Sequence, residues 1–273
     1  MEHTELESLA RELMNAYESG QMMPSAPSAR SGFDLNAAYE VEATLKRFRE
    51  EGGARPAGRK VGYANKAMWR VFKLETLVWG HMYHDTIHYS DDNKSSLSLP
   101  RARSLKIEPE IVFALKETIT TPGLDAAAAL EAADWYAIGF EIIDCPFPDW
   151  KFKPADFVAS FGLHAALIVG ERHQIKPDEI AGLNEKLQQF KLRMLRNGEF
   201  VEEGSGKNSL GNPAACLAEL SSAILKRTPS EPLAAGELIS TGTLTAGHPL
   251  QPGDTWTVEV DGLPLPSLTL RLS

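Results

Sequence analysis

Residues 107–115 read Ile-Glu-Pro-Glu-Ile-Val-Phe-Ala-Leu, two carboxylates followed directly by an apolar run. The run from Ile111 to Leu115 predicts a strand that enters a hydrophobic core. Because residues two apart on a strand share a face, Glu108 and Glu110 converge, with backbone positions about 6 to 7 Å apart. Pro109 removes one backbone donor, which favours an edge strand or a bulge.

Two carboxylates this close repel each other, and each raises the pKa of the other. A divalent cation bound between them removes this penalty, and oxygen-only ligation suits Mg²⁺, Mn²⁺ or Ca²⁺ better than Zn²⁺. The residues alone also allow a solvated Glu-x-Glu pair on an exposed strand face.

A third carboxylate, Glu141, lies within the apolar run of residues 137–143. An isolated buried carboxylate is costly, so Glu141 needs a partner, either a metal ion or a lysine or arginine. Asp144 follows three residues later and could be the ligand instead. Lys60 is a further candidate, because it lies in a short glycine-flanked apolar segment, residues 58–62. A buried lysine can serve as an acid, a base or an anchor for a carboxylate, and the alternative is a surface lysine.

Hydrophobic periodicity divides the rest of the chain into helices and strands. Strands are predicted where β-branched and aromatic residues cluster between turn residues, at 86–89, 110–115, 138–143, 165–169, 237–241, 255–260 and 267–272. Helices are predicted at 6–17, 37–48, 124–133, 178–189 and 213–225. Asp34 and Asn212 are the predicted N-caps of two of these helices. Because the strands do not alternate regularly with helices, the predicted fold class is α+β, with a helical N-terminal lobe (1–57) and a β-rich catalytic domain (58–273).

Composition excludes several classes of function. The chain has 273 residues and a formal net charge of −9, whereas nucleic-acid binding usually needs a basic face. No apolar run approaches the roughly 18 residues that span a membrane, and the first nine residues carry no signal core. A cytoplasmic protein is therefore expected, with Cys145 and Cys216 as free thiols. No glycine-rich nucleotide motif is present, so no nucleotide cofactor is predicted.

Taken together, these motifs resemble the fumarylacetoacetate hydrolase superfamily, and most closely its branch of 2-keto-4-pentenoate hydratases and 4-oxalocrotonate decarboxylases. Lys60-Val61-Gly62 is similar to the family's Lys-Ile-Gly, whose lysine is an active-site residue. Residues 107–111 are similar to its Glu-x-Glu metal motif. Residues 140–144 match the strand of its third ligand, which points to Glu141 over Asp144. Five further stretches also look like segments of this family and occur in the same order: 36–39, 149–151, 211–213, 241–245 and 252–254.

The resemblance implies a mixed β-roll-like core of the fumarylacetoacetate hydrolase C-terminal type and a homo-oligomer. It also implies Mg²⁺ or Mn²⁺ held by Glu108, Glu110 and Glu141. The predicted reaction is hydration of a small 2-oxo-enoic acid through a metal-stabilised enolate, as in aromatic catabolism. Lys60 is expected to bind the oxo acid or move a proton, and Thr243 and Lys151 to bind substrate.

The chain departs from this pattern at Val78, where the hydratases typically carry an aspartate before an aromatic-glycine pair. Valine cannot transfer a proton, so His81, His84 or Asp85 is expected to replace that acid. Three alternatives stay open: decarboxylation of a 2-oxo diacid through the same enolate, carbon–carbon bond hydrolysis, and non-catalytic binding of an oxo acid. Four aromatic residues are expected at the distal end of the substrate: Trp69, Phe72, Trp79 and Tyr83.

Overall fold

Strands outnumber helices in the computed structural model, which describes residues 1–99 and 104–273. The helices are α1 (His3–Ser19), α2 (Leu35–Glu51), α3 (Lys66–Phe72), α4 (Ala126–Glu131), α5 (Pro154–Val158), α6 (Ile180–Gln189) and α7 (Pro213–Leu225). The strands are β1 (Pro56–Gly62), β2 (Val78–Tyr83), β3 (Ile87–Tyr89), β4 (Lys94–Leu97), β5 (Leu105–Leu115), β6 (Ala133–Asp144), β7 (His164–Val169), β8 (His173–Gln174), β9 (Lys191–Arg196), β10 (Glu199–Ser205), β11 (Leu238–Ser240), β12 (His248–Pro249), β13 (Thr255–Asp261) and β14 (Leu268–Leu272).

Two mixed sheets organise the described strands. The larger sheet has the order β2-β1-β11-β5-β6-β7-β3, with β12 also paired to β5 and β8 to β6. In it β1 runs parallel to β11 and β3 parallel to β7, while the other pairs are antiparallel. The smaller sheet has the order β10-β9-β13-β14-β4. The predicted α+β class with a mixed β core is confirmed.

The first two helices follow the sequence pattern. Asp34 caps α2 by accepting a hydrogen bond from Ala37 N at 2.9 Å, and Leu9 of α1 and Leu45 of α2 are fully buried in the main core. We propose that residues 1–57 form a helical lobe beside a β-rich domain of residues 58–273, with β1 beginning at Pro56 near this boundary.

The two faces of the β5–β6 pair have different roles. One face, which includes Ile111 and Phe113, packs into the main core with the helices. On the other face, Val112 and Ala114 belong to a second apolar cluster with residues of β6, β7 and β11. Alternation along β5 puts Glu108 and Glu110 in the same row as Val112 and Ala114. Glu108 and Glu110 therefore lie at one end of a row of apolar side chains on this face.

Several elements differ from the sequence prediction. The helix predicted at 124–133 is shorter in the structure, where α4 spans Ala126–Glu131. Asp125 caps its start by accepting a hydrogen bond from Ala128 N, and β6 begins at Ala133. Strand β2 was missed because all six of its residues are buried, which leaves no alternation to read. The free thiols of Cys145 and Cys216 are confirmed, and both are buried. In the described part of the chain, no helix has the length and apolarity needed to cross a membrane.

Candidate metal centre and active site

Three carboxylates meet on one face of the β5–β6 pair. Glu108 lies directly opposite Glu141 in the strand register, and Glu110 lies opposite Gly139. One oxygen from each carboxylate lies within 4.8 Å of the oxygens of the other two. The β5–β6 register has no shift between Glu141 and Asp144. Asp144 is three positions after Glu141, an odd offset, so it lies on the opposite face of the strand pair. The register therefore brings together Glu108, Glu110 and Glu141.

Burial raises the pKa of all three carboxyl groups. For Glu108 the pKa rises to about 8, since desolvation and the charges of Glu110 and Glu141 outweigh the opposing effect of Lys60. Desolvation also raises the pKa of Glu110, although Ser240 Oγ and Gly242 N, the latter at 2.8 Å, donate hydrogen bonds to its Oε2. The other oxygen, Glu110 Oε1, is buried without a hydrogen-bond partner among the described residues.

This donor set fits a hard divalent cation. Three carboxylates supply only oxygen ligands, which suits Mg²⁺ or Mn²⁺. A cation at their centre gives Glu110 Oε1 the partner that it lacks within the described residues. It also removes the repulsion among three carboxylates, of which Glu110 and Glu141 are buried and Glu108 is half-buried.

We predict that the metal-free protein loses stability as pH rises through the range in which the carboxylates of this cluster titrate. The pKa of Glu108 is raised from the ordinary value of 4.5 to about 8, so the folded chain binds more protons than the unfolded chain between these values. Stability must then fall as pH rises across that window. Thermal unfolding in EDTA at pH 5 and pH 8 measures the fall, which should be smaller in Glu108→Gln. An equal fall in both proteins would contradict the raised pKa.

Lys60 projects from β1 into the same cluster. Its Nζ lies 2.8 Å from Glu141 Oε2, and its side chain is 2% exposed. Desolvation alone favours the neutral amine, but the three carboxylates outweigh it and raise the pKa of Lys60, so the group is an ammonium. Gly80 lies opposite Lys60 on β2, and a Cβ there would stand 2.7 Å from Gly162 N. The absence of a side chain at Gly80 thus lets the 161–163 turn cover the lysine stem.

His164 orients the third carboxylate. Its Nδ1 lies 2.9 Å from Glu141 Oε1, and its Nε2 lies 2.8 Å from Thr86 Oγ1. Burial, aided by the charge of Lys60, lowers the pKa of His164 to about 3, so the ring is neutral. A neutral ring donates from one nitrogen only, and the carboxylate requires that this be Nδ1. The sequence motifs gave His164 no role.

Replacing His164 by alanine should weaken Mn²⁺ binding about 10- to 100-fold, the usual effect of removing a group that orients a metal ligand. Titration followed by electron paramagnetic resonance measures the affinity. His173→Ala is the matched control, because His173 lies on β8 at the far end of β6, opposite Tyr136. Unchanged Mn²⁺ affinity in His164→Ala would show that the histidine does not position Glu141.

The loop after β11 closes one side of the site. On the side of β5 away from β6, β11 pairs at 112–114 and β12 pairs at 106–107. On that side, residues 108–111 therefore face the loop instead of a strand. Leu244 N donates to Pro109 O at 2.9 Å. Since the N and O of a strand residue point to the same side, the donor that Pro109 lacks would also face this loop. The expected edge strand is therefore wrong for β5 as a whole, but the proline does occupy a local gap in the pairing.

A cavity of about 630 Å³ reaches the carboxylate cluster at Glu108, whereas Glu110 and Glu141 are not among the residues that line it. Lys60, Glu108 and Thr243 line its inner part. The hydroxyl of Thr243 donates to Thr245 O at 2.9 Å, so it must turn from that carbonyl to reach a substrate. The remaining wall includes Tyr63, Met68, Phe72, Trp150, Phe152 and Phe157.

Four polar lining residues were not predicted as site residues: Tyr63, Asn65, Glu202 and Asn208. Tyr63 had a signal, because it directly follows Lys60-Val61-Gly62, the segment that is similar to the family's Lys-Ile-Gly. Its φ of +58° is also unusual for an aromatic residue, and such strain concentrates at functional sites.

The structure does not bring His81, Asp85 or Lys151 to this cavity. His81 lies opposite Arg59 in the register, so it faces away from Lys60; it pairs with Glu42 and lines a separate cavity of about 200 Å³. The carboxylate of Asp85 is 56% exposed and pairs with Arg49.

Lys151 is also displaced from the expected position. Its side chain is 81% exposed and pairs with Asp149 at 3.1 Å, whereas its neighbours Trp150 and Phe152 line the cavity. Of the four aromatic residues expected at the distal end, Phe72 lines the cavity, but Trp69, Trp79 and Tyr83 are not among the residues that line it.

Comparison with known proteins agrees with this geometry. The fumarylacetoacetate (FAA) hydrolase C-terminal family matches residues 68–270. A 2-hydroxyhexa-2,4-dienoate hydratase of Comamonas testosteroni is 27% identical over 258 residues, which is 94% of each chain. A 4-oxalocrotonate decarboxylase of a Pseudomonas species is 30% identical over 258 residues, 93% of this chain and 94% of the relative.

A solved structure is similar over the whole chain. The 4-oxalocrotonate decarboxylase from Pseudomonas putida G7, complexed with magnesium and adipate, has a TM-score of 0.88 and 26% identity and covers 100% of this chain and 99% of its own. Both the family match and the full-length relatives agree with the resemblance read from the motifs. The chain therefore belongs to the fumarylacetoacetate hydrolase family, in the branch that holds 2-keto-4-pentenoate hydratases and 4-oxalocrotonate decarboxylases.

Proposed function

We propose that the chain is a divalent-metal-dependent lyase that hydrates a small 2-oxo-enoic acid, presented as its 2-hydroxy-2,4-dienoate. One observation carries the proposal: three carboxylates within 4.8 Å of one another, with the Lys60 ammonium against Glu141, at the inner end of an open cavity. The hydratase named among the relatives supports the same reaction.

Mg²⁺ or Mn²⁺ is the proposed ion, held by Glu108, Glu110 and Glu141. When bound, it would supply a Lewis acid that stabilises the negative charge developing on the 2-oxo group as water adds to the conjugated double bond.

The residues of the chain bind the substrate and move its protons. Lys60 donates to the oxo-acid end and transfers a proton there, and Thr243 hydrogen-bonds the substrate carboxylate. Val78 is fully buried and has no proton to give. Desolvation raises the pKa of Tyr63 above its ordinary value, so its phenol stays protonated. It can give its proton to the carbon next to the 2-oxo group as water adds to the fourth carbon, and the proton that the water loses returns to the phenolate. We therefore propose Tyr63, in place of His81 or Asp85, as the second proton donor.

The test is a Mg²⁺-supplemented assay with 2-hydroxyhexa-2,4-dienoate, followed by loss of ultraviolet absorbance and by NMR of the product. Hydration gives a 4-hydroxy-2-oxo acid. In a parallel assay, release of CO₂ from 4-oxalocrotonate would identify the decarboxylase, the second candidate supported by the full-length structural similarity. If EDTA left turnover unaffected, the metal-dependent function would be refuted.

We also propose a cytoplasmic homo-oligomer. The free buried thiols fit a reducing compartment, and the family resemblance implies self-association. Light scattering of the purified chain measures the assembly, and a monomer at micromolar concentration would contradict it.

A further inference from the structure

We infer that the natural substrate has an uncharged, apolar tail and no second carboxylate, an inference that rests on the proposed function of this site. The two reactions found among the relatives differ on this point. 4-Oxalocrotonate carries a carboxylate at each end, whereas 2-hydroxyhexa-2,4-dienoate ends in a methyl group. The lining of the cavity favours the second type.

Much of the cavity wall is built from aromatic rings. Tyr63 packs edge-to-face against Phe72, with ring centroids 5.4 Å apart, and against Phe157 at 5.8 Å. Trp150 and Phe152 also line the cavity. A carboxylate placed against the faces of these rings would lose its hydration without gaining a cationic partner, which is costly. An alkyl or aryl tail would instead bury apolar area there.

The charges around the cavity point the same way. Among the described residues that line it, Lys60 is the only lysine or arginine, and its ammonium already contacts Glu141 at 2.8 Å. Lys106 lies outside the lining, with its Nζ 4.1 Å from the centre of the Trp150 ring. Apart from Lys60 and the proposed ligand Glu108, the charged residue among the described lining residues is a carboxylate, Glu202.

Glu202 is fixed where it would repel a second carboxylate. Its Oε2 accepts a hydrogen bond from Ala246 N at 3.1 Å and lies 2.7 Å from His248 Nε2. The amides of the lining are neutral donors, and part of their hydrogen-bonding capacity is already used. Asn208 Nδ2 already donates to Leu244 O at 2.6 Å, and Asn65 Oδ1 accepts from Ala67 N at the start of α3.

The test compares two ligands of equal length in the Mg²⁺-loaded enzyme by titration calorimetry. 2-Oxohexanoate and 2-oxoadipate share the 2-oxo-acid end and differ only in a methyl or a carboxylate at carbon six. We expect 2-oxohexanoate to bind at least about tenfold more tightly, because the second carboxylate would be desolvated without a partner. Equal or tighter binding of 2-oxoadipate would overturn the inference.

Pyruvate, which has no tail, separates this inference from the proposed function. If pyruvate binds with Mg²⁺ and the two longer acids bind equally, the tail inference fails and the site assignment stands. If pyruvate does not bind with Mg²⁺, the proposed function itself fails.

Variants locate the origin of the preference. Glu202→Gln should raise the affinity for 2-oxoadipate about three- to tenfold and leave that for 2-oxohexanoate unchanged, as expected for removal of one like charge near the ligand. Glu203→Gln is the matched control, because this neighbour on β10 is exposed and does not line the cavity. Phe72→Arg, at the partly exposed end of α3, should reverse the preference. An unchanged ligand ratio in both Glu202→Gln and Phe72→Arg would overturn the inference.

Discussion

Replacing Glu110 by glutamine should abolish Mg²⁺-dependent turnover, with kcat/KM falling at least about a thousandfold. Loss of a Lewis acid removes several kcal/mol of transition-state stabilisation, and about 1.4 kcal/mol is a factor of ten. Glu110 is the most sensitive of the three ligands, because one of its oxygens is held by Ser240 and Gly242 while the other has no partner within the described residues.

The glutamine variant should nevertheless fold. Its amide oxygen can keep the hydrogen bonds from Ser240 and Gly242, and one buried like charge is removed. In EDTA at pH 8 we therefore expect the melting temperature of Glu110→Gln to equal or exceed that of the parent. Glu117→Gln is the matched control, since Glu117 is exposed just beyond the end of β5. If Glu110→Gln retained Mg²⁺-dependent turnover, the metal assignment would be wrong.

Replacing Lys60 by methionine should lower kcat/KM about 10²- to 10⁴-fold, the range that positioned proton transfer contributes. The same change should destabilise the metal-free protein by about 3–5 kcal/mol, because it leaves the buried carboxylate of Glu141 without its ion-pair partner. Steady-state kinetics and calorimetric unfolding measure the two effects separately.

A double variant and a binding measurement separate the structural role of Lys60 from the catalytic one. Adding Glu141→Gln to Lys60→Met removes the orphaned charge, so the melting temperature in EDTA should recover. Because Glu141 is itself a proposed metal ligand, this double variant tests stability and not turnover. Mg²⁺-dependent pyruvate binding to the single Lys60→Met variant reports whether the metal site is intact. Lys116→Met, an exposed position beyond β5, controls for the loss of a lysine. An unchanged kcat/KM in Lys60→Met would refute a catalytic role.

The sequence predicts those features of the site that depend on a single strand. Glu108 and Glu110 share a face because of strand alternation, and the apolar residues after them imply burial. Choosing Glu141 over Asp144 depends on the pairing of β5 with β6, which residue spacing does not reveal. For this choice the family resemblance pointed to Glu141, the residue that the register places opposite Glu108.

The errors arise where a residue's face depends on a strand that the sequence concealed. β2 is buried along its whole length, so no alternation showed that His81 would lie on the side of Arg59 and not of Lys60. The hairpin β9–β10 was missed as well, and with it Glu202. The aromatic wall combines Tyr63, which directly follows β1, with residues from α3 and from the segment around α5, and no local pattern predicts that these segments meet.

Three carboxylates are proposed to hold a divalent cation that in turn binds a 2-oxo acid. Titration calorimetry of pyruvate into the enzyme, with Mg²⁺ and then with EDTA, decides whether they do. We expect one pyruvate bound per chain with Mg²⁺ and none in EDTA. Pyruvate binding of equal affinity in EDTA would refute the metal-dependent site.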